Sequence, residues 1–107
     1  MGEYLTNPAD AQAAMKKVME KAHHAVFFGG AGVSTASGIP DFRSPNGLYN
    51  QRGYKYPPEE MLSHSFYMTH REEFFDFYRH VMCVPSAKPN QCHRKLAELE
   101  QEGKLDC

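Results

Sequence analysis

Apolar positions along the chain fall into a few distinct patterns. Ala11, Ala14, Met15, Val18, Met19 and Ala22 recur at the three-to-four-residue spacing of a helix face. Ahead of them, Asn7-Pro8-Ala9-Asp10 combines an N-cap residue, a proline at the first helical position and an acid in the first turn. A helix is therefore predicted over 8–23. Ala25-Val26-Phe27-Phe28 is apolar throughout, the pattern of a short strand buried on both faces of a parallel sheet. Phe74, Phe75, Tyr78, Val81 and Met82 form the apolar face of a predicted helix over 71–82. A last helix over 91–102 is predicted with Asn90 as cap, Gly103 just past its end, and Cys92, Leu96 and Leu99 inward.

Between these elements the pattern breaks. Apart from Val33, residues 29–38 are glycine or small, and predict a tight turn followed by a short helix near 33–37. Over 38–58 there is no periodicity, and prolines, glycines and asparagines predict a long loop. A loop this long is expected to be functional or mobile, and Phe42, Tyr49, Tyr54 and Tyr56 are too apolar for a solvated linker. Residues 58–62 read as one helical turn, and Ser65 as the opening of another segment. Residues 104–107 start a connection toward a further strand.

Composition narrows the classes. The chain has 107 residues, is 41% hydrophobic, and carries a net charge of −1. That suits a soluble globular unit and gives no basic footprint for nucleic acid. No apolar run approaches the roughly 18 residues of a membrane helix. With no signal-peptide pattern at the start, a cytoplasmic location is expected. Cys83, Cys92 and Cys107 make no C-x-x-C pair, so free thiols are expected rather than a zinc site or a disulfide framework. The six histidines show no metal-ligand spacing.

The chemistry concentrates in residues 29–49, GGAGVSTASGIPDFRSPNGLY. A strand-like run followed by bare backbone at Gly30-Ala31-Gly32 is a way to bring N–H groups close to a phosphate or pyrophosphate. The match to the dinucleotide fingerprint is partial, because Thr35 stands where the third glycine belongs. No acid follows a second strand about 20 residues on, which disfavours an ordinary Rossmann dehydrogenase. A plain glycine-rich connection remains the bland alternative for Gly30-Ala31-Gly32 taken alone.

The longer pattern is more specific. Gly30-Ala31-Gly32-Val33-Ser34, Ser37-Gly38-Ile39-Pro40-Asp41-Phe42-Arg43-Ser44 and Gly47-Leu48-Tyr49 resemble the first signature of the sirtuins, the Sir2 family of NAD-dependent protein deacetylases. Lys88-Pro89-Asn90, His93, Leu96, Leu99 and Glu100 continue the likeness. Gly29 departs from it, where many members carry Thr. The resemblance implies an α/β fold: the N-terminal part of a Rossmann-like sirtuin fold, with one parallel strand, helices and a cofactor-binding loop. It divides the chain into 1–37 (strand, turn and helix), 38–58 (cofactor-binding loop) and 59–107 (a helical part leading toward a second strand).

The same resemblance implies NAD as cofactor and an acetyl-lysine protein as substrate. Products would be lysine, nicotinamide and an O-acyl-ADP-ribose. Gly30, Ala31 and Gly32 would approach the pyrophosphate, and Thr35 would add a hydroxyl donor. Asp41 would lie near the nicotinamide pocket, Phe42 would cover the reacting ribose face, and Arg43 would stand beside the phosphates. Family members also carry an N-I-D stretch, a catalytic H-G pair and four zinc-binding cysteines, none of which occurs in these 107 residues. His93 belongs to the P-N-x-x-H pattern and is expected to be structural. The chain is thus expected to be an N-terminal portion, incomplete as a fold and inactive alone. The alternative is a non-enzymatic fragment that binds NAD or a partner. Desuccinylating members share a Tyr-x-x-Arg pair whose positions fall on Phe75 and Tyr78, which implies a short neutral acyl group, acetyl first.

Overall fold

The computed structural model describes residues 4–107 and resolves into two compact units. One comprises 4–28 with 94–107, the other 29–93.

The first unit opens with α1, Pro8–Lys21. The Ala9 N–H donates to Asn7 Oδ1 at 2.8 Å, as the capping pattern predicts. Asp10 in the first turn and Lys21 in the last complement the helix dipole. The predicted apolar stripe exists, yet only Ala11, Ala14 and Met19 on the helix are half-buried. Met15 and Val18 are each 62% exposed.

The predicted strand at 25–28 is corrected by the structure: no strand forms among the described residues. Phe28 is 98% exposed and Val26 69%. A parallel strand needs a ladder on each side to satisfy its backbone, and packing above and below to bury its side chains. Here one short neighbour supplies two bonds. Asp106 N–H donates to Ala25 O, and Phe27 N–H donates to Cys107 O, both at 2.8 Å. The two segments run in the same direction, and His24 Nδ1 lies 3.3 Å from Asp106 Oδ2 beside them. The α/β class is therefore seen only as helices plus this incipient parallel pairing.

The helix α5, Gln91–Gln101, begins in the second unit and ends in the first. Gly103 adopts φ 74°, so the chain reverses and the N–H of Lys104 reaches Leu99 O at 2.9 Å. Its half-buried side chains include His93, Leu96 and Leu99. Cys92, expected inward, is exposed. It precedes the 93–96–99 stripe by one residue, which turns it about 100° away.

The second unit packs three short helices, α2 (Pro58–Met61), α3 (His64–Thr69) and α4 (Arg71–Phe77), around Met61, Phe66 and Phe77. Ser63 caps α3 by accepting from Phe66 N–H at 3.2 Å, so this segment opens two residues before Ser65. The Phe66 ring stacks on His70 with centroids 4.6 Å apart, and Tyr56 meets it edge-on at 5.1 Å. The helical run predicted over 71–82 continues past α4 as a π-turn, Tyr78–Met82, whose Cys83 N–H donates to Tyr78 O. Its inward stripe differs from the predicted face. Phe77 is buried in the core with Met61 and Phe66, and Phe74, Val81 and Met82 pack against that cluster. Phe75 (39% exposed) and Tyr78 (42%) face outward. An inward stripe holds residues three or four apart, and 74, 77 and 81 satisfy that spacing around Phe77.

Candidate functional site

The glycine-rich turn lies wholly in the second unit. Its residues form a 3₁₀-helix, Ala31–Ser37, entered from Gly30 in an extended conformation and closed by Gly38 at φ 83°. A segment this rich in small residues has little side-chain bulk to pack: Ala31, Val33, Ser34 and Ser37 are half-buried and none is buried. Its first turn leaves donors free, as every helix start does. Val33 N–H donates to Gly30 O at 3.1 Å, whereas the amides of Gly30, Ala31 and Gly32 donate to no acceptor among the described residues. A Cβ added at Gly30 or Gly32 meets nothing within 4 Å, and neither residue has positive φ. The backbone shape therefore does not require glycine at these two positions. What glycine provides is open approach at these two positions beside amides without acceptors, a feature suited to an oxyanion.

Thr35 is placed on this helix, but its hydroxyl donates to Gly32 O at 2.9 Å. The proton expected to reach a phosphate instead fastens the turn. Asn90 joins the turn from the start of α5. Its Nδ2 donates to Val33 O at 2.8 Å and to Ser37 Oγ at 3.0 Å. Sequence reading assigned Asn90 only the capping of α5.

The Asp41–Asn50 loop closes on itself, which its lack of periodicity did not reveal. Leu48 N–H donates to Asp41 O at 2.7 Å, and Tyr49 N–H to Phe42 O at 2.9 Å. Asp41 Oδ1 accepts from both the backbone N–H and the hydroxyl of Ser44. Asn50 Nδ2 reaches the carbonyls of Arg43 and Ser44 at 3.2 and 2.6 Å. A second 3₁₀ turn, Leu48–Asn50, buries Leu48 beneath the loop. Gly47 is needed here for space: a Cβ would lie 2.6 Å from Phe42 C and O and 2.8 Å from Asp41 Oδ1.

The loop fixes the remaining predicted residues. Asp41 and Phe42 are half-buried, and Arg43 is exposed. The Phe42 ring tilts against Tyr49 with centroids 5.3 Å apart. The Arg43 guanidinium lies 5.5 Å from the same Tyr49 ring, within cation–π range. Phe42 also lines an apolar cleft of about 140 Å³ with Ala31 and Ser34 of the turn, Ile39, Pro40, Leu48, and Val81 and Met82 of the π-turn. Ala31 of the glycine turn and Phe42 thus meet at one cleft, while Gly30, Gly32, Thr35, Asp41 and Arg43 do not line it. Sequence reading missed Ile39, Leu48, Val81 and Met82 as walls of it. The last two were visible only as part of a helix face, and the π-turn carries them to this cleft.

Phe75 and Tyr78 do not line the cleft. The Arg79 guanidinium lies 5.8 Å from the Phe75 ring, in a broad groove of about 520 Å³ along α4. Arg71 and Arg79 share that groove with Glu72, Glu73 and Asp76, so it selects neither sign of charge. Among the described residues, no group of three or more His, Cys, Asp or Glu side chains is placed to hold a metal ion. His93 accepts at Nδ1 from the Asn90 N–H at 3.2 Å, a local structural bond.

Comparison with known proteins identifies the pattern. A family model described as the Sir2 family matches residues 30–107. A protein of Clostridium acetobutylicum named NAD-dependent protein deacetylase is 55% identical over 92 residues, covering 85% of this chain and 38% of its own length. Proteins with the same name from Clostridium tetani (53% over 97 residues) and Clostridium perfringens (51% over 92) match equally broadly. The chain spans 38–39% of the length of these relatives. With the family model matched over residues 30–107, the chain belongs to the Sir2 family.

Proposed function

We propose that these residues form the NAD-facing part of an NAD-dependent protein lysine deacetylase. One observation carries the reading: the three amides at Gly30–Gly32 have no acceptor among the described residues, and the space a Cβ would take at Gly30 and Gly32 is open. They lie in the same unit as Asp41, Phe42 and Arg43. The turn's chemistry fits an anionic diphosphate. NAD, when bound, supplies a ribose carbon with nicotinamide as leaving group, toward which an acyl-lysine oxygen can be directed.

The chain's own residues divide the work. The three amides donate to diphosphate oxygens, and the bare Cα positions let those oxygens come close. Thr35 holds the turn through Gly32 O. Arg43, exposed and seated over Tyr49, offers a permanent positive charge. Phe42 and the apolar cleft beside it exclude water. Asp41 is spent on Ser44 and shapes the loop that presents Phe42 and Arg43.

The reading extends to a Rossmann-like architecture, supported by the parallel direction of 25–27 and 106–107. It extends also to a cytoplasmic location, consistent with three free, exposed thiols. No histidine of the chain is followed by glycine, and His93 is occupied as an acceptor. The catalytic base is accordingly assigned outside these residues, and with it any structural zinc.

Two measurements on the 107-residue chain test this. Titration with ADP-ribose should shift the amide resonances of Gly30–Gly32, with a dissociation constant of roughly millimolar order, because much of the ligand's surface stays uncovered. Nicotinamide release from NAD with an acetyl-lysine peptide should stay at the buffer rate. Absence of any response at 30–32 would sink the pyrophosphate assignment. Turnover would show that a base exists within the chain.

A further inference from the structure

Asn90 does two jobs with the two ends of one amide. At one end, the N–H groups of Cys92 and His93 point at Oδ1 from 2.9 and 3.3 Å. At the other, Val33 O and Ser37 Oγ lie 2.8 and 3.0 Å from Nδ2. Two donors facing one atom and two acceptors facing the other fix the amide's orientation. The Asn90 N–H completes a reciprocal cap by donating to His93 Nδ1, the imidazole standing where a capping box has Glu or Gln.

The turn needs such a tie. A 3₁₀-helix has poor hydrogen-bond geometry, and runs longer than three or four residues are uncommon. Ala31–Ser37 is seven residues long and buries none of them. Its packing is partial, with Ala31, Val33, Ser34 and Ser37 half-buried, and Nδ2 grips it at both its third and seventh residues.

We propose that Asn90 is a positioning residue for the phosphate-facing turn. Its Nδ2 holds Val33 and Ser37 so that the free amides of Gly30–Gly32 keep one direction before any ligand arrives. Its Oδ1 caps α5 independently. The ligand part of this role rests on the pyrophosphate reading above; the holding of the turn does not. A turn ordered in advance spares the ligand the cost of ordering it.

Because the jobs sit on different atoms, Asn90→Asp separates them. The variant keeps an oxygen for the Cys92 and His93 amides but turns a carboxylate oxygen toward Val33 O. Amide hydrogen exchange on the full 107-residue chain, without ligand, is the first readout. In Asn90→Asp the amides of Gly38 and Ile39, which donate to Thr35 O and Ser34 O, should exchange at least tenfold faster. The Cys92 and His93 amides should keep their protection. Ser37→Ala, which removes one of the two acceptors, should fall between. ADP-ribose titration is the second readout, with about tenfold weaker binding expected for Asn90→Asp.

Unchanged exchange at 38 and 39 overturns the proposal. So does equal acceleration at 38–39 and 92–93, which would make Asn90 a helix cap only. The expected exchange pattern in a chain that binds no ADP-ribose supports the holding role and removes the pyrophosphate reading instead.

Discussion

Gly47→Ala isolates how the Asp41–Asn50 loop is built. Gly47 has φ −71° and ψ 166°, which any residue adopts, so alanine brings no backbone strain. Its Cβ would nevertheless stand 2.6 Å from Phe42 C and O. These are backbone atoms, with no flexible side chain to swing aside. Restoring ordinary contact of ~3.4 Å requires the two arms of the loop to part by ~0.8 Å. The bonds Leu48 N–H to Asp41 O and Tyr49 N–H to Phe42 O, now 2.7 and 2.9 Å, join these same arms. Opening by that amount takes the first to the edge of hydrogen-bond range and the second past it. Two weakened bonds at about 0.5–1.5 kcal/mol each, or overpacking at about 1–3 kcal/mol, give the same order of cost. Amide exchange at Leu48 and Tyr49 should therefore quicken about tenfold or more, and Phe42 should lose its fixed contact with Tyr49. Native exchange rates at both amides, with an unshifted Phe42 ring resonance, would refute the steric argument.

Gly32→Ala should do the opposite: its Cβ meets nothing, so thermal stability stays within about 0.5 kcal/mol, while ADP-ribose binding is lost in calorimetry. Phe77→Ala should cost roughly 3–5 kcal/mol in urea unfolding of the second unit, since Phe77 is 4% exposed, whereas Phe75→Ala should cost under about 1 kcal/mol. Asn7→Ala should weaken α1 by about 1 kcal/mol, read as lost helicity in circular dichroism, with exchange at Leu48 and Tyr49 unchanged.

Local chemistry made much of this protein legible in the sequence. Asn7-Pro8 set the start of α1 within the chain's own first turn, and Asn90 and Gly103 bracketed α5, because caps act over three or four residues. The glycine turn and the Asp41–Arg43 segment were recognisable for the same reason, since their residue types and spacing are themselves the signal.

What the tertiary structure decided are matters of partners. Val26 and Phe28 have strand-type side chains, but a strand exists only where neighbours bond its backbone, and two bonds do not make one. Phe77 rather than Phe75 became the core residue because helical phase is set by what packs against the helix, and Met61 and Phe66 lie on its side. Thr35 gave its hydrogen bond to Gly32 O within its own turn, and Asn90 reached 57 residues back to Val33. The first is a local bond within one helical turn, open to any Thr on a helix; the second has no local signature, since it depends on where the folded backbone places a carbonyl.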